Sequence, residues 1–369
     1  MKRLYILLFS TLAFSTMEAQ NKFNLLVGTY TNTCDSKGIY VYEFDANSGN
    51  FKLKNTSESI SPSYLSVSAD NKFIYAVNEN GTQSTVSAFG YNSKSGKVNF
   101  LNNNASLGAD PCHIINDAQN VIVANYSGGS LAVFKKKPDG SITEVQQLIQ
   151  HEGKGPNAAR QEKAHVHMVV FSPDKKFVLS NDLGLDKVFI YKYNSASKNE
   201  ILTLKGSVDV KAGSGPRHLT FSKDGKFVYL VQELDGTLTT FSYDKTGSLK
   251  LIAETSILAK DFKGGTGAAA IKISPDGKFL YVTDRVDANN ISVYKILKNG
   301  KIELVEQQST LGKGPRDFAI DPTGNYLLVG HQYTNNIVVF KRNKITGKLT
   351  DTGKKIELCS PVGLLFTKI

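Results

Sequence analysis

Cysteine is scarce in this chain: three residues in 369, Cys34, Cys112 and Cys359, lie far apart and form no CxxC pair. An odd count permits at most one internal disulfide, the spacing selects no partner, and buried free thiols are the expectation. The six histidines fall in neither HExxH nor zinc-finger spacing, so no metal site is expected. There is no Gly-x-Ser-x-Gly elbow and no activated cysteine, which leaves covalent acyl transfer without a nucleophile. No cofactor is called for.

Long apolar runs are missing too, apart from Leu4 to Phe14 behind Met1-Lys2-Arg3. That run is too short to cross a bilayer as a helix and reads as the n- and h-regions of a secretory signal, residues 1–19, with cleavage near Ala19. No cysteine stands beside the cleavage region, so a lipoprotein anchor is not indicated. Residues 20–369 are expected to form the exported chain, periplasmic or extracellular, with no membrane anchor.

The formal charge is +11, a field that favours anionic partners. The basic residues are spread through turns (Lys135-Lys136-Lys137, Lys175-Lys176, Lys354-Lys355) and make no stripe with interleaved aromatics. Nucleic acid is therefore a poor partner, and a small anion a better one.

What the chain does contain is a repeat. Seven times a short apolar strand ends in a matching signature: Gly28-Thr29-Tyr30, Val77-Asn78-Glu79, Ala124-Asn125-Tyr126, Ser180-Asn181-Asp182, Val231-Gln232-Glu233, Thr283-Asp284-Arg285 and Gly330-His331-Gln332. The spacings are 49, 47, 56, 51, 52 and 47 residues, the period of a β-propeller blade. In the clearest repeat, Leu219 to Phe221, Lys226 to Gln232, Thr237 to Tyr243 and Leu249 to Ala253 alternate with period two, joined by turns carrying Asp224-Gly225, Asp235-Gly236 and Thr246-Gly247. The predicted fold is all-β: one seven-bladed propeller of four-stranded antiparallel blades. No inner strand precedes Gly28, whereas Pro361 to Phe366 reads as an inner strand with nothing after it. The C-terminal strand is thus predicted to complete the N-terminal blade and shut the ring.

In an antiparallel hairpin the residue that starts the inner strand lies opposite the residue that ends the second strand. Arg217 and Glu233 are therefore neighbours, and every blade delivers its equivalents to one mouth. That ring contains Tyr30, Glu79, Tyr126, Asp182, Glu233, Arg285 and Gln332 from second-strand ends, and His113, His165, His167, Arg217, His218 and Arg316 from inner-strand starts. Five of the six histidines fall at ring motifs when His331 is included; His151 alone does not. Strand-end polar groups often only pair with one another, and Arg217 with Glu233 fits that plainer reading. The convergence of histidines, arginines and carboxylates favours a site, because they supply acid–base chemistry and anion binding.

The combination of Ala164-His165-Val166-His167, Phe171-Ser172-Pro173-Asp174, Asn181-Asp182-Leu183-Gly184-Leu185-Asp186, Gly215-Pro216-Arg217-His218, Gln232-Glu233-Leu234, Asp284-Arg285 and Gly314-Pro315-Arg316 resembles the seven-bladed propeller lactonases of the 6-phosphogluconolactonase type. These are related to the fungal carboxymuconate lactonising enzyme, and the likeness covers essentially the whole mature chain. The resemblance implies hydrolysis of an anionic sugar lactone with no metal. It puts His167, Arg217, Glu233 and Arg285 at the catalytic positions, with His167 or Glu233 exchanging protons and the arginines holding the anion and the oxyanion. His113, His165, His218, Glu79, Asp182, Arg316 and Gln332 are then the candidate substrate-binding residues. The expected partner is a small anionic lactone or sugar acid, and the chain is expected to be a monomer. A carboxymuconate-type cycloisomerase and an exported ligand-binding propeller without catalysis are the alternatives.

Overall fold

Second strands such as Phe227–Gln232 (FVYLVQ) and Phe279–Asp284 (FLYVTD) are apolar on both faces, and almost every residue in them is buried. A strand of that kind needs a sheet on each side, which a propeller supplies by packing each blade between two others. Outer strands such as Ile142–Gln150 instead alternate between half-buried and exposed residues, the pattern of a strand with one wet face. The computed structural model describes residues 21–369. The signal-peptide reading of residues 1–19 lies outside them.

Seven four-stranded antiparallel sheets surround one axis, six of them in simple chain order. The remaining sheet has the order Pro361–Lys368, Lys22–Thr29, Gly38–Asp45, Asn50–Glu58, so the C-terminal strand is the inner strand of the N-terminal blade, as the sequence predicts. Val27 pairs with Leu364 and Leu25 with Phe366 across this closure. Among the described residues the helical content is one 3-10 turn, Gly81–Gln83.

The turn glycines mark where blades meet. Gly140, Gly247, Gly300, Gly347 and Gly49 sit in the turns before outer strands with φ between 69° and 86°. Each lies flat on the aromatic ring that opens the second strand of the preceding blade. A Cβ there would come within 2.0 Å of Phe73, 3.0 Å of Phe177, 2.3 Å of Phe227, 2.4 Å of Phe279 and 2.7 Å of Tyr326, respectively. The positive φ and the close approach both require glycine. The last contact, Gly49 on Tyr326, joins the seventh blade to the first. The closure seam is therefore built like the internal seams.

The expectation of free thiols is corrected at two positions. Cys34 and Cys359 form a disulfide, with Cα atoms 6.0 Å apart, and Cys112 is the free, buried one. A pairing across 325 residues leaves no trace in local spacing. It exists because closure brings the loop after Thr29 to the head of the strand Pro361–Lys368.

This disulfide clips the closing strand to the blade it completes, and it should stabilise the ring by about 2–4 kcal/mol. Reduction, or Cys359→Ser, is expected to lower Tm by roughly 5 °C, read by thermal scans with and without dithiothreitol. Identical melting of the two forms would contradict this role.

Candidate active site

The side chains at the mouth owe their direction to β-bulges. In six blades the register between inner and second strands slips at the head of the inner strand. Pro216 faces Gln232 and His218 faces Val231, which leaves Arg217 outside the ladder. The same slip passes over Cys112, His167 and Arg316. A bulged residue escapes strict alternation and is re-aimed by the local bend. Four blades thus deliver Cys112, His167, Arg217 and Arg316 to the axis by the same device.

The partners come from the turns that follow the second strands. Glu79, Tyr126, Glu233 and Arg285 line a cavity of about 260 Å³ together with Asp110, Cys112, Ser127, Arg160, His167 and Arg316. At its centre is Glu233, buried with three guanidinium groups on it. Arg217 Nε donates to Oε2 at 2.9 Å, an Arg285 terminal nitrogen to Oε2 at 3.1 Å, and an Arg160 terminal nitrogen to Oε1 at 2.6 Å. Burial alone would raise the Glu233 pKa, but Arg285, then Arg217, with Arg160 adding, hold it well below the usual carboxylate range. Glu233 is an ionised group at any working pH.

His167 Nε2 stands 3.8 Å from Glu233 Oε2, and Nδ1 is turned to Cys112 Sγ at 3.7 Å. Burial, then the charge of Arg217, lowers its pKa well below 6.5, with Glu233 opposing. The imidazole is neutral in the free protein. Burial likewise pushes the Cys112 thiol up, out of reach of thiolate chemistry. Arg217 also donates to the Ala269 carbonyl and lies behind Glu233. Arg316 differs from the other arginines: its guanidinium stacks over the Tyr30 ring, 5.3 Å from the centroid, and makes no hydrogen bond or ion pair among the described residues. Its donors face the cavity uncommitted.

Several candidates lie elsewhere. His113 and His218 belong to a narrower layer beneath the cavity, with ring centroids 5.3 Å apart and Tyr64 tilted against His113 at 4.2 Å. Burial first, then Arg217 and Lys272, lowers the His113 pKa to about 3. His165 stacks behind Tyr126 and bonds Glu162 at 3.1 Å. Gln332 does not line the cavity, and His331 is tied to Asn336 at 2.9 Å.

Asp182 is turned away from the axis altogether. Its Oδ1 accepts backbone N–H groups of His165, Gly184 and Leu185, and Oδ2 takes His151 Nδ1 at 2.7 Å. The pairing of Asp182 with Val166 makes it the equivalent of Gln232 opposite Pro216 and Asp284 opposite Ala268, so the fourth signature reads Asn181-Asp182-Leu183. Because side chains alternate along a strand, that single-residue offset moves Asp182 from the mouth into the wall. Arg160 carries no periodic signal in the sequence because it lies on the 151–165 connection, outside the repeat. The long 56-residue spacing is the trace it leaves.

Among the described residues, no three His, Cys, Asp or Glu side chains are disposed as a metal-binding group.

A model of the family described as "Lactonase, 7-bladed beta-propeller" matches residues 24–366. The chain is 35% identical to a Bacillus subtilis protein named 6-phosphogluconolactonase, over 92% of this chain and 97% of that one. It superposes with TM-score 0.91 on a Bacteroides fragilis structure given as a candidate 6-phosphogluconolactonase (40% identity, 96% and 99% covered). A Pseudomonas aeruginosa structure named a periplasmic gluconolactonase gives TM-score 0.90 (34% identity, 94% and 99% covered).

Removing the Asp182 carboxylate would strand three N–H donors and His151 inside the fourth blade. Asp182→Ala is expected to cost about 3–5 kcal/mol, seen as a lower urea midpoint. An unchanged midpoint would contradict the wall assignment.

Proposed function

This chain belongs to the seven-bladed β-propeller lactonase family, and we propose that its cavity hydrolyses an anionic sugar lactone by attack of water on the ring ester. The observation that carries this reading is one cavity lined by Arg160, Arg285, Arg316 and a neutral histidine around an ionised glutamate that Arg217 backs from behind. A binding module needs the arginines but has little use for a buried neutral base beside them.

His167 Nε2 takes a proton from water as the hydroxyl adds to the carbonyl carbon. Glu233, already ionised, does not shuttle the proton; 3.8 Å away, it stabilises the imidazolium that forms. Arg217 acts through Glu233, since its Nε and one terminal nitrogen are spent on Glu233 and Ala269. Arg285 has a terminal nitrogen to spare and Arg316 its whole fork. These two hold the anionic group of the substrate and the oxyanion of the tetrahedral intermediate. A bound anion offsets the cationic field that depresses the His167 pKa, so the substrate itself improves the base. Collapse of the intermediate opens the ring, and one proton is released when the product acid ionises.

Export rests on the N-terminal segment and on the Cys34–Cys359 disulfide, which persists in oxidising compartments. The Pseudomonas relative named periplasmic agrees with it. Among the described residues no helix is long and apolar enough to cross a membrane. The partner is a small molecule, since the basic residues form no nucleic-acid stripe, and the working unit is a monomer because the cavity is complete within one chain.

Proton release in a pH-stat, with 6-phosphogluconolactone and gluconolactone as substrates, tests the reading. Wild type should turn over at least one of them, and His167→Ala should lose at least about 100-fold in kcat with its melting curve intact. A folded wild type inactive on every lactone would make this a ligand-binding propeller. A general base must be deprotonated, and the lowered His167 pKa keeps it so in mild acid. The acid limb of kcat/KM should therefore lie below pH 6.5; a limb centred above it would exclude His167 as the base.

A further inference from the structure

Opening the ring leaves an alkoxide on the sugar, a poor leaving group unless a proton meets it. His167 has just accepted a proton from water on the attacking side, and Glu233 has none to give. We infer that Glu79 is the general acid that protonates the departing ring oxygen. This assignment rests on the lactone-hydrolysis reading above.

Two glutamates line the same cavity in unlike company. Glu233 is crossed by three guanidinium groups. Glu79 has no cation within ion-pair distance among the described residues, and its carboxyl is held by two hydroxyl groups. Tyr30 Oη reaches both of its oxygens at 3.1 Å, and Ser63 Oγ donates to Oε1. Oε1 thus takes two hydroxyls and Oε2 only the shared Tyr30 hydroxyl, which makes Oε2 the less occupied oxygen and the one assigned the proton. The groups that face Glu79 come from four blades: Tyr30 from the first, Ser63 from its own, Asp110 and Cys112 from the third, and Arg316 from the seventh.

Burial, the largest influence, raises the Glu79 pKa; Arg316 and the two hydroxyl groups oppose it and Asp110 reinforces it, with a net upward shift. Two carboxyl groups whose surroundings push their protonation apart are the usual arrangement for separating an acid from a charged stabiliser. The protons balance. Water gives one to His167 and its hydroxyl to the acyl carbon, the acyl–oxygen bond breaks, and Glu79 gives its proton to the ring oxygen. Glu79 is then reprotonated and His167 deprotonated through the open mouth.

A general acid must be protonated, so activity should be lost as pH rises through the raised Glu79 pKa. The test is the pH profile of 6-phosphogluconolactone hydrolysis by wild type, Glu79→Gln and Tyr30→Phe. Glu79→Gln should lower kcat at least about 100-fold, with KM within about threefold, and should abolish the alkaline limb. Tyr30→Phe removes a donor that favours the carboxylate, so it should keep the limb and move it to higher pH. A Glu79→Gln kcat within tenfold of wild type, or an alkaline limb unmoved in both variants, would overturn the assignment. If wild type turns over the lactone normally, that outcome removes only this inference; a wild type inactive on lactones removes the reading beneath it as well.

Discussion

The pairing of Pro361–Lys368 with Lys22–Thr29 is the interaction on which the mouth depends. It supplies the first blade with its inner strand, and it lets Leu25 and Val27 of that blade pack with Leu328 and Val339 of the seventh in one buried cluster. Tyr30 follows directly from this seam. It lies under Arg316 of the seventh blade and bonds Glu79 of the second, so three blades meet at one phenol. The Cys34–Cys359 disulfide clips the same joint. A loosened seam would misplace Arg316 and Glu79 before it disturbed the blades opposite.

Symmetry alone would give seven equivalent side chains at the axis. The bulges at the heads of the inner strands instead re-aim one position in each of four blades, and the sequence fills these with a thiol, an imidazole and two guanidinium groups. Burial then decides their charge. An imidazole desolvated beside Arg217 is neutral, and a carboxylate desolvated among three arginines is ionised, because in a low-dielectric wall the nearest opposite charge outweighs the cost of burial only for the group that has such partners. The difference between Glu233 and Glu79 follows from the same rule. A neutral imidazole, an ionised carboxylate and a carboxyl with a raised pKa thereby line one cavity of about 260 Å³.

Much of this was legible in the sequence because propeller contacts between neighbouring strands are local. Arg217 and Glu233 are sixteen residues apart around one hairpin and meet at 2.9 Å. The strand pattern and the unpaired ends of the chain also predicted closure. What escaped depends on single-residue register or on distance along the chain. Asp182 sits in the wall although Ser180-Asn181-Asp182 resembles the other signatures, because it is one residue out of step, and only the ladder shows the offset. The bulges themselves leave no mark in the hydrophobic pattern, although Pro before Cys112, Arg217 and Arg316 sits at each slip. Arg160 and the Cys34–Cys359 pair lie in connections outside the repeat, where no periodicity reports on position.

Burial and the charge of Arg217 hold His167 neutral beside an ionised Glu233, and the chemistry of the mouth turns on that state. Side-chain 15N shifts of histidine-labelled protein, with the His167 signals assigned by their loss in His167→Ala, read this directly without any substrate. His167 should keep the shifts of a neutral imidazole at pH 6.5 and titrate only below it. Imidazolium shifts for His167 at pH 6.5 would contradict it.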